Sequence, residues 1–345
     1  MPSALVVQTA FLGDVVLTTP LLAALAQRHG PVDVITTPAA APLLESHPAV
    51  RRVIPYDKKG KSHGFTGLLA LAHRLRAERY PVAYLPHRSL RSAVLALLAR
   101  IPTRVGFHDG WPLFYTEVRR RPAEGHEIDR ILALAESPAF TGRAPRHATP
   151  TLETTIADRG TADGFLREHG IAEPFAVLAP GSIWGSKRWP YYPALAAALA
   201  ERMPVVAIGS RDDAGLGTEI VRALEAVGRS GSRAVSACGQ LSLQESVALI
   251  ARAAILVTND SAPLHFASAV GTPIVAVFGP TIPEFGFGPR GPHDRVVEVD
   301  GLPCRPCSHH GPPACPLGHH LCMKSLRVED VLQAIEETGA LRRRD

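Results

Sequence analysis

Residues Leu5–Pro20 read LVVQTAFLGDVVLTTP, two apolar segments broken by Gly13–Asp14. The first segment, Ala4 to Val7, is a short β-rich run. The second, Val15 to Leu25, places its apolar residues at helical spacing. A strand followed at once by a helix is the unit from which parallel α/β sheets are built. Gly13–Asp14 sits at the junction and has two readings. A glycine lets the chain turn sharply, and an aspartate at a helix start caps free N–H groups. A carboxylate at the C-terminal end of a first parallel strand is also where open α/β sheets place their chemistry.

The pattern continues outward from this unit. VDVITT, RRVIPYD, VAYLPH and TRVGFHD read as further strands, with helical stretches around Ala39 to Ser46 and in GLLALAHRLRAERY. In the latter, Leu68, Leu71 and Leu75 share one face, and Arg74, Arg76 and Arg79 lie largely off it. Thr141 to Thr155 is rich in Pro, Thr and Gly and is the best linker. Alternation then restarts with FAVLAPG, PVVAIGS, AVSACG, ILVTND and PIVAVFGP. The expected architecture is two tandem, doubly wound, Rossmann-like α/β domains facing a cleft, with domains at 1–150 and 151–326. A C-terminal helix at 327–345 is expected to pack across their junction.

At 345 residues, with 46% hydrophobic and 20% charged residues, the chain has the composition of a packed globular enzyme rather than of a disordered protein. No apolar run approaches the roughly 20 residues that span a bilayer. The N-terminus enters a strand without a basic lead or apolar signal region, which points to a cytoplasmic protein. The net charge of +5 is uneven: residues 1–150 hold 19 Lys/Arg against 11 Asp/Glu, and the rest 18 against 21. Either the first half meets something anionic, or arginine is simply favoured by coding background. Nothing points to nucleic acid.

Three loops of the second half carry chemistry. APGSIWGSKRWP, Ala179 to Pro190, follows a strand and offers Lys187 as a point charge suited to a phosphate, or as an ordinary surface lysine. It does not match G-x-x-x-x-G-K-[ST], and the first strand–helix turn lacks the G-x-G-x-x-G of a dinucleotide oxidoreductase. VTNDSAPLHFASAVGTPIVAVFGPT, Val257 to Thr281, ends a strand in three good N-caps, Asn259, Asp260 and Ser261, before a helix whose free N–H groups suit an anion. Pro263 leaves that role intact. His265 faces either a ligand or the core. In CGQLSLQESVALIARAA, Ser242 caps a helix with Gln244 in its first turn.

Taken together, strand–GD–helix, PGS…K.WP and TNDS..LH.A.A.G.P.VA.FGPT resemble the ADP-heptose:lipopolysaccharide heptosyltransferases. CRPC and CPLGHHLCM near the end place the likeness closest to the heptosyltransferase II branch. The motifs run in order over essentially the whole chain. The resemblance implies the two-domain glycosyltransferase B fold and an inverting transfer of heptose from ADP-heptose to a Kdo-bearing lipid A core. Asp14 would be the general base and Lys187 the group that neutralises departing ADP. Gly13, Ser182, Gln244, Asp260, Ser261, Ala262 and His265 complete the expected donor set, with Gln244 standing where some members carry a Glu.

On this reading the basic first half binds the anionic acceptor, through Lys58, Lys59 and Lys61 of YDKKGKSHG and Arg88 and Arg91 of HRSLRS. The protein would act as a monomer on the anionic inner leaflet, peripherally at its cytoplasmic face. No D-x-D pair stands at a strand end, so transfer is expected to need no cofactor. Cys304, Cys307, Cys315 and Cys322, interleaved with His309, His310, His319 and His320, are either a structural metal site, zinc above all, or reduced thiols and a labile disulfide. Heptosyltransferase I or a related surface-glycan transferase with another acceptor stands as the alternative, followed by a nucleotide-sugar 2-epimerase and a non-catalytic sugar-nucleotide-binding module. A pure binder has no need of Asp14.

Overall fold

The computed structural model describes residues 4–58, 64–136, 148–226 and 234–341. The chain divides into two compact units, Met1–Glu153 and Thr154–Asp345. The first holds strands β1 (Leu5–Val7), β2 (Val32–Thr36), β3 (Val50–Pro55), β4 (Val82–Leu85), β5 (Thr103–Phe107) and β6 (Glu117–Arg119). The second holds β7 (Ala176–Ala179), β8 (Val205–Ala207), β9 (Ala234–Ser236), β10 (Ile255–Asn259), β11 (Ile274–Phe278) and β12 (Arg295–Glu298).

Each unit is one parallel sheet. The strand orders are β3-β2-β1-β4-β5-β6 and β12-β11-β10-β7-β8-β9. Counted within its own unit, each follows the doubly wound order 3-2-1-4-5-6, with one reversal point where ligands bind in such sheets. It lies between β1 and β4 in the first unit and between β7 and β10 in the second. The central strands read as unbroken apolar runs because helices cover both faces, and β1, β7, β10 and β11 are buried throughout.

The helical spacing read over Val15 to Leu25 resolves into two helices, Leu12–Leu17 and Thr19–His29, broken by Pro20. Proline has no N–H for the carbonyl four residues back. The Thr19 hydroxyl takes that Val16 carbonyl instead, at 2.8 Å. Leu68, Leu71 and Leu75 of helix Gly64–Glu78 pack against Leu5, Val7 and Leu85, as their spacing implies. Part of the first unit's basic excess is spent internally. Asp33, buried on β2, receives Arg51 at 2.6 Å and Arg52 at 2.9 Å, and the Tyr80 hydroxyl also donates to it.

Strands β6 and β12 were not expected from the sequence. Both are edge strands whose polar residues are half-buried, so they carry no apolar run. The last helix, Val328–Thr338, buries its apolar stripe, Val331, Ala334 and Ile335, in the second unit's core. Arg202–Glu336 at 2.6 Å and Arg295–Glu337 at 3.3 Å pin its outer face to the same unit.

Candidate active site

In the first unit the chain leaves β1 and turns through Gln8, Thr9 and Ala10 into helix Leu12–Leu17. Phe11 is its extended N-cap and Asp14 its third residue. The Phe11 N–H donates to Asp14 Oδ2 at 3.1 Å, so the capping reading of Gly13–Asp14 holds. The carboxyl is nonetheless pushed up to about 6. Burial is the largest cause and the negative Glu127 adds to it; the Phe11 N–H and Arg121 oppose. At neutral pH such a group is mostly ionised and close to its best basicity for taking a proton.

Four residues that sequence reasoning did not single out shape this edge of the sheet. Arg121 grips Glu127 with bonds of 2.7 and 2.6 Å and lies over the Phe107 ring at 5.3 Å. Asp109 ties Arg88 at 3.4 Å. His87 follows β4, on the other side of the reversal point from Asp14. Burial, with Lys58, Arg88 and Arg121 nearby, lowers its pKa, and its Nδ1 is buried without a hydrogen-bond partner among the described residues. These side chains come from turns and a helix start and meet only in the folded unit, so no spacing announces them.

The expected acceptor cations fare differently. Lys58 Nζ donates to the Thr9 carbonyl at 2.7 Å, which brings it to the loop that leads into Asp14. Arg88 is exposed beside Asp109. Lys59 and Lys61 lie outside the described residues. Arg91 is a structural staple, with Nε on the Tyr56 hydroxyl at 2.5 Å, Nη2 on the Gly64 carbonyl at 2.8 Å, and its guanidinium over the Tyr56 ring. Arg91→Ala is therefore expected to cost about 1–2 kcal/mol of stability, roughly 2–6 °C in Tm, and to leave acceptor KM nearly unchanged. A melting curve equal to that of the unmodified chain, with a large rise in acceptor KM, would refute this.

In the second unit, Lys187 ends the short turn Gly185–Lys187 after β7 and is buried. Its Nζ donates to Asp260 Oδ2 at 2.5 Å and to the Asp260 carbonyl at 3.2 Å. The Thr281 hydroxyl, after β11, donates to the same carboxylate oxygen at 2.7 Å. Asn259 locks the two loops of the reversal point together. Its Nδ2 donates to the Pro180 carbonyl at 2.9 Å, and its Oδ1 accepts from the Trp189 N–H at 3.2 Å. Ser261 takes the N-cap position, but no side chain of the three expected N-caps bonds the helix N–H groups. Asn259 and Asp260 point elsewhere, and Ser261 Oγ lies 3.3 Å from Thr258 Oγ1. Helix Ala262–Val270 begins with no side-chain cap on its N–H groups, Ala262 being its first residue. That leaves an N-terminus able to receive an anion beside a lysine.

The remaining donor-set residues take less exposed roles. The Ser182 carbonyl accepts Arg188 at 2.8 and 3.0 Å, and its hydroxyl accepts the Trp184 N–H at 3.3 Å. The glycine before it, Gly181, makes room for the Asp213 carboxylate, which a Cβ there would strike. His265 is buried and edge-on to Phe287, with ring centres 6.4 Å apart. Gln244 is buried on helix Leu243–Arg252, which Ser242 and Glu245 cap reciprocally. Gly13 is buried within its helix.

The cysteine-rich segment packs against the Lys187 turn. Gly311, at φ +79°, lies so near that a Cβ would come within 3.0 Å of Lys187 Cε. His320 Nε2 meets the Ser186 carbonyl at 2.7 Å. The structural zinc is not supported: among the described residues no three His, Cys, Asp or Glu side chains converge on a metal position. The reason lies in where the candidate ligands are spent. His320 serves Ser186, His319 Nδ1 accepts the Leu321 N–H at 3.0 Å, and His309 stacks on Phe285 at 4.4 Å. Cys322 is buried in the core, where burial and then the neighbouring cysteines push its thiol up to about 11. All five cysteines are free thiols.

Two doubly wound units, one with a raised carboxyl and one with a buried lysine at their reversal points, have the glycosyltransferase B architecture of a glycosyl-transferring enzyme. The chain belongs to glycosyltransferase family 9 (heptosyltransferase), whose pattern matches residues 68–316. It is 28% identical to lipopolysaccharide heptosyltransferase 2 of Salmonella typhimurium over 320 residues, 86% of this chain and 87% of that protein. The solved structure of Escherichia coli ADP-heptose lipopolysaccharide heptosyltransferase II is similar at a TM-score of 0.79 and 27% identity, covering 99% of this chain and 98% of that one. A family 9 glycosyltransferase from Veillonella parvula shares the fold at a TM-score of 0.84, over 98% of this chain and 96% of that one, at 24% identity.

Proposed function

We propose that the protein transfers heptose from ADP-heptose to the inner core of lipopolysaccharide, with a heptosyl-Kdo2-lipid A acceptor. The observation that carries the mechanism is the Asp14 carboxyl, raised to about 6 at the reversal point of the first sheet. Asp14 takes the proton of the acceptor hydroxyl as its oxygen forms the new bond to the anomeric carbon. The bond from that carbon to the phosphate oxygen breaks, and ADP leaves with the electron pair. One displacement inverts the anomeric centre and needs no second carboxylate. Lys187 has three N–H donors and directs two at Asp260. The third, with the uncapped N–H groups of helix Ala262–Val270, receives the diphosphate. These groups supply the charge stabilisation that a divalent ion provides in other transferases, so transfer needs no cofactor.

Lys58 and Arg88, on the Asp14 edge of their sheet, suit the carboxylates and phosphates of the acceptor. Among the described residues no helix is long and apolar enough to cross a membrane. A lipid-borne acceptor makes peripheral work at the cytoplasmic face of the inner membrane, by a monomer, the arrangement that fits. The test is direct: incubate the protein with ADP-heptose and either Kdo2-lipid A or its mono-heptosylated form, and weigh the products. Gain of one heptose on the mono-heptosylated form alone is expected. Gain on Kdo2-lipid A alone would make it the first enzyme of the step, and gain on neither would overturn the reading.

A further inference from the structure

The arginines of helix Gly64–Glu78 that lie off its core face are not absorbed by the transfer reaction. This helix packs beside helix Leu90–Leu98, and the latter touches the turn Pro112–Phe114. On the first helix, Phe65, Leu69, His73 and Arg76 stand at i, i+4, i+8 and i+11, one exposed stripe that flanks the buried leucines. Phe65 is 64% exposed. Leu90 and Leu97, seven residues apart on the second helix, are also exposed, as is Trp111. Leu113, in the adjoining turn, is 98% exposed.

The far end of the same face is cationic. A groove of about 720 Å³ is lined by His73, Arg76, Arg79 and Arg100, with Tyr80 and Pro102 among the others, and no acidic side chain lines it. The guanidinium groups of Arg76, Arg79 and Arg100 make no hydrogen bond or ion pair among the described residues. This contrasts with Arg51, Arg52, Arg91, Arg104 and Arg121 of the same unit, all of which are engaged. Arg79 and Arg100 both hold left-handed backbone, at φ 57° and 55°, where the chain turns from each helix toward β4 and β5. Strand-to-helix order places Phe65 and Leu90 toward the sheet edge that carries Asp14. The arginines stand toward the opposite edge.

We propose that this two-helix face docks the enzyme on an anionic lipid bilayer. Apolar side chains at the Asp14 end enter the headgroup region, and the three arginines lie over lipid phosphates. Large exposed apolar groups on one face with unpaired cations, which here line a groove free of acids, are what an interfacial surface needs. The inference rests on the reading that the acceptor is a membrane glycolipid, and it places attachment on the helix face rather than on Lys58.

Vesicle flotation of the whole protein tests it, using phosphatidylcholine alone or mixed with phosphatidylglycerol. Binding is expected only to the anionic vesicles. Arg76→Glu, Arg79→Glu and Arg100→Glu together should weaken it by roughly 10²-fold at low salt. Trp111→Ser with Leu113→Ser should remove most of the binding that survives high salt, roughly tenfold. Both variants should keep full transfer to a detergent-dispersed acceptor, which also shows that they fold. Binding by the charge-reversed protein equal to that of the parent, or equal binding to neutral vesicles, would overturn the docking face. Transfer without vesicle binding refutes the face and leaves the transfer reading standing. Vesicle binding without transfer does the reverse.

Discussion

Asp14→Asn is expected to lower kcat by about 10²-fold or more and to leave the affinity for ADP-heptose almost unchanged. The amide keeps an oxygen to accept the Phe11 N–H, so the start of helix Leu12–Leu17 survives. It loses the negative charge that Glu127 opposes, so stability should not fall. What disappears is a base for the acceptor proton. Steady-state kinetics and calorimetric titration of the donor on one sample separate the two effects. A variant that retains half of the parent turnover would take Asp14 out of the mechanism.

The same carboxyl sets the acid limb of activity. Asp14 works as the carboxylate, so kcat/KM should be full above its pKa of about 6 and fall tenfold per pH unit below it. Asp14→Asn should show no such limb. Glu127→Gln removes a negative neighbour and frees Arg121 from its ion pair. Both changes favour the carboxylate, so the limb should move to lower pH. A limb that stays in place would assign it to another group.

How far the sequence reaches can be judged from these residues. Asp14, Lys187 and Asp260 were legible because each follows a buried strand whose apolar run is unmistakable, and sheet order does the rest. Strands β6 and β12 were not, since an edge strand with a half-buried pattern carries no apolar run. The partners of Arg91 were hidden for a related reason. A basic residue after a strand reads the same whether its partner is an incoming anion or, as here, Tyr56 and a backbone carbonyl. The cysteine cluster left metal and free thiols both open because spacing counts ligands but not competitors. His309, His319 and His320 are each taken by a nearer contact. Glu127, Arg121 and His87 act only through tertiary proximity, which no local pattern encodes.

Lys187→Ala should weaken ADP-heptose binding by about 10- to 100-fold and slow transfer as well, because a charge on the diphosphate is felt in ground and transition states alike. The structure adds a second cost. Lys187 and Asp260 form a nearly buried pair, with side-chain exposures of 9% and 11%. Removing one partner strands the other charge, a loss typically of about 3–5 kcal/mol. The single variant therefore confounds lost donor contact with lost stability. Lys187→Ala combined with Asp260→Asn separates them. Asparagine can still accept the Thr281 hydroxyl, now at 2.7 Å from the carboxylate, and it leaves no stranded charge. The double variant should recover most of the melting temperature and none of the donor affinity. If affinity returned together with stability, Lys187 would be a strut for Asp260, and the diphosphate would have to be held by the helix N-terminus alone.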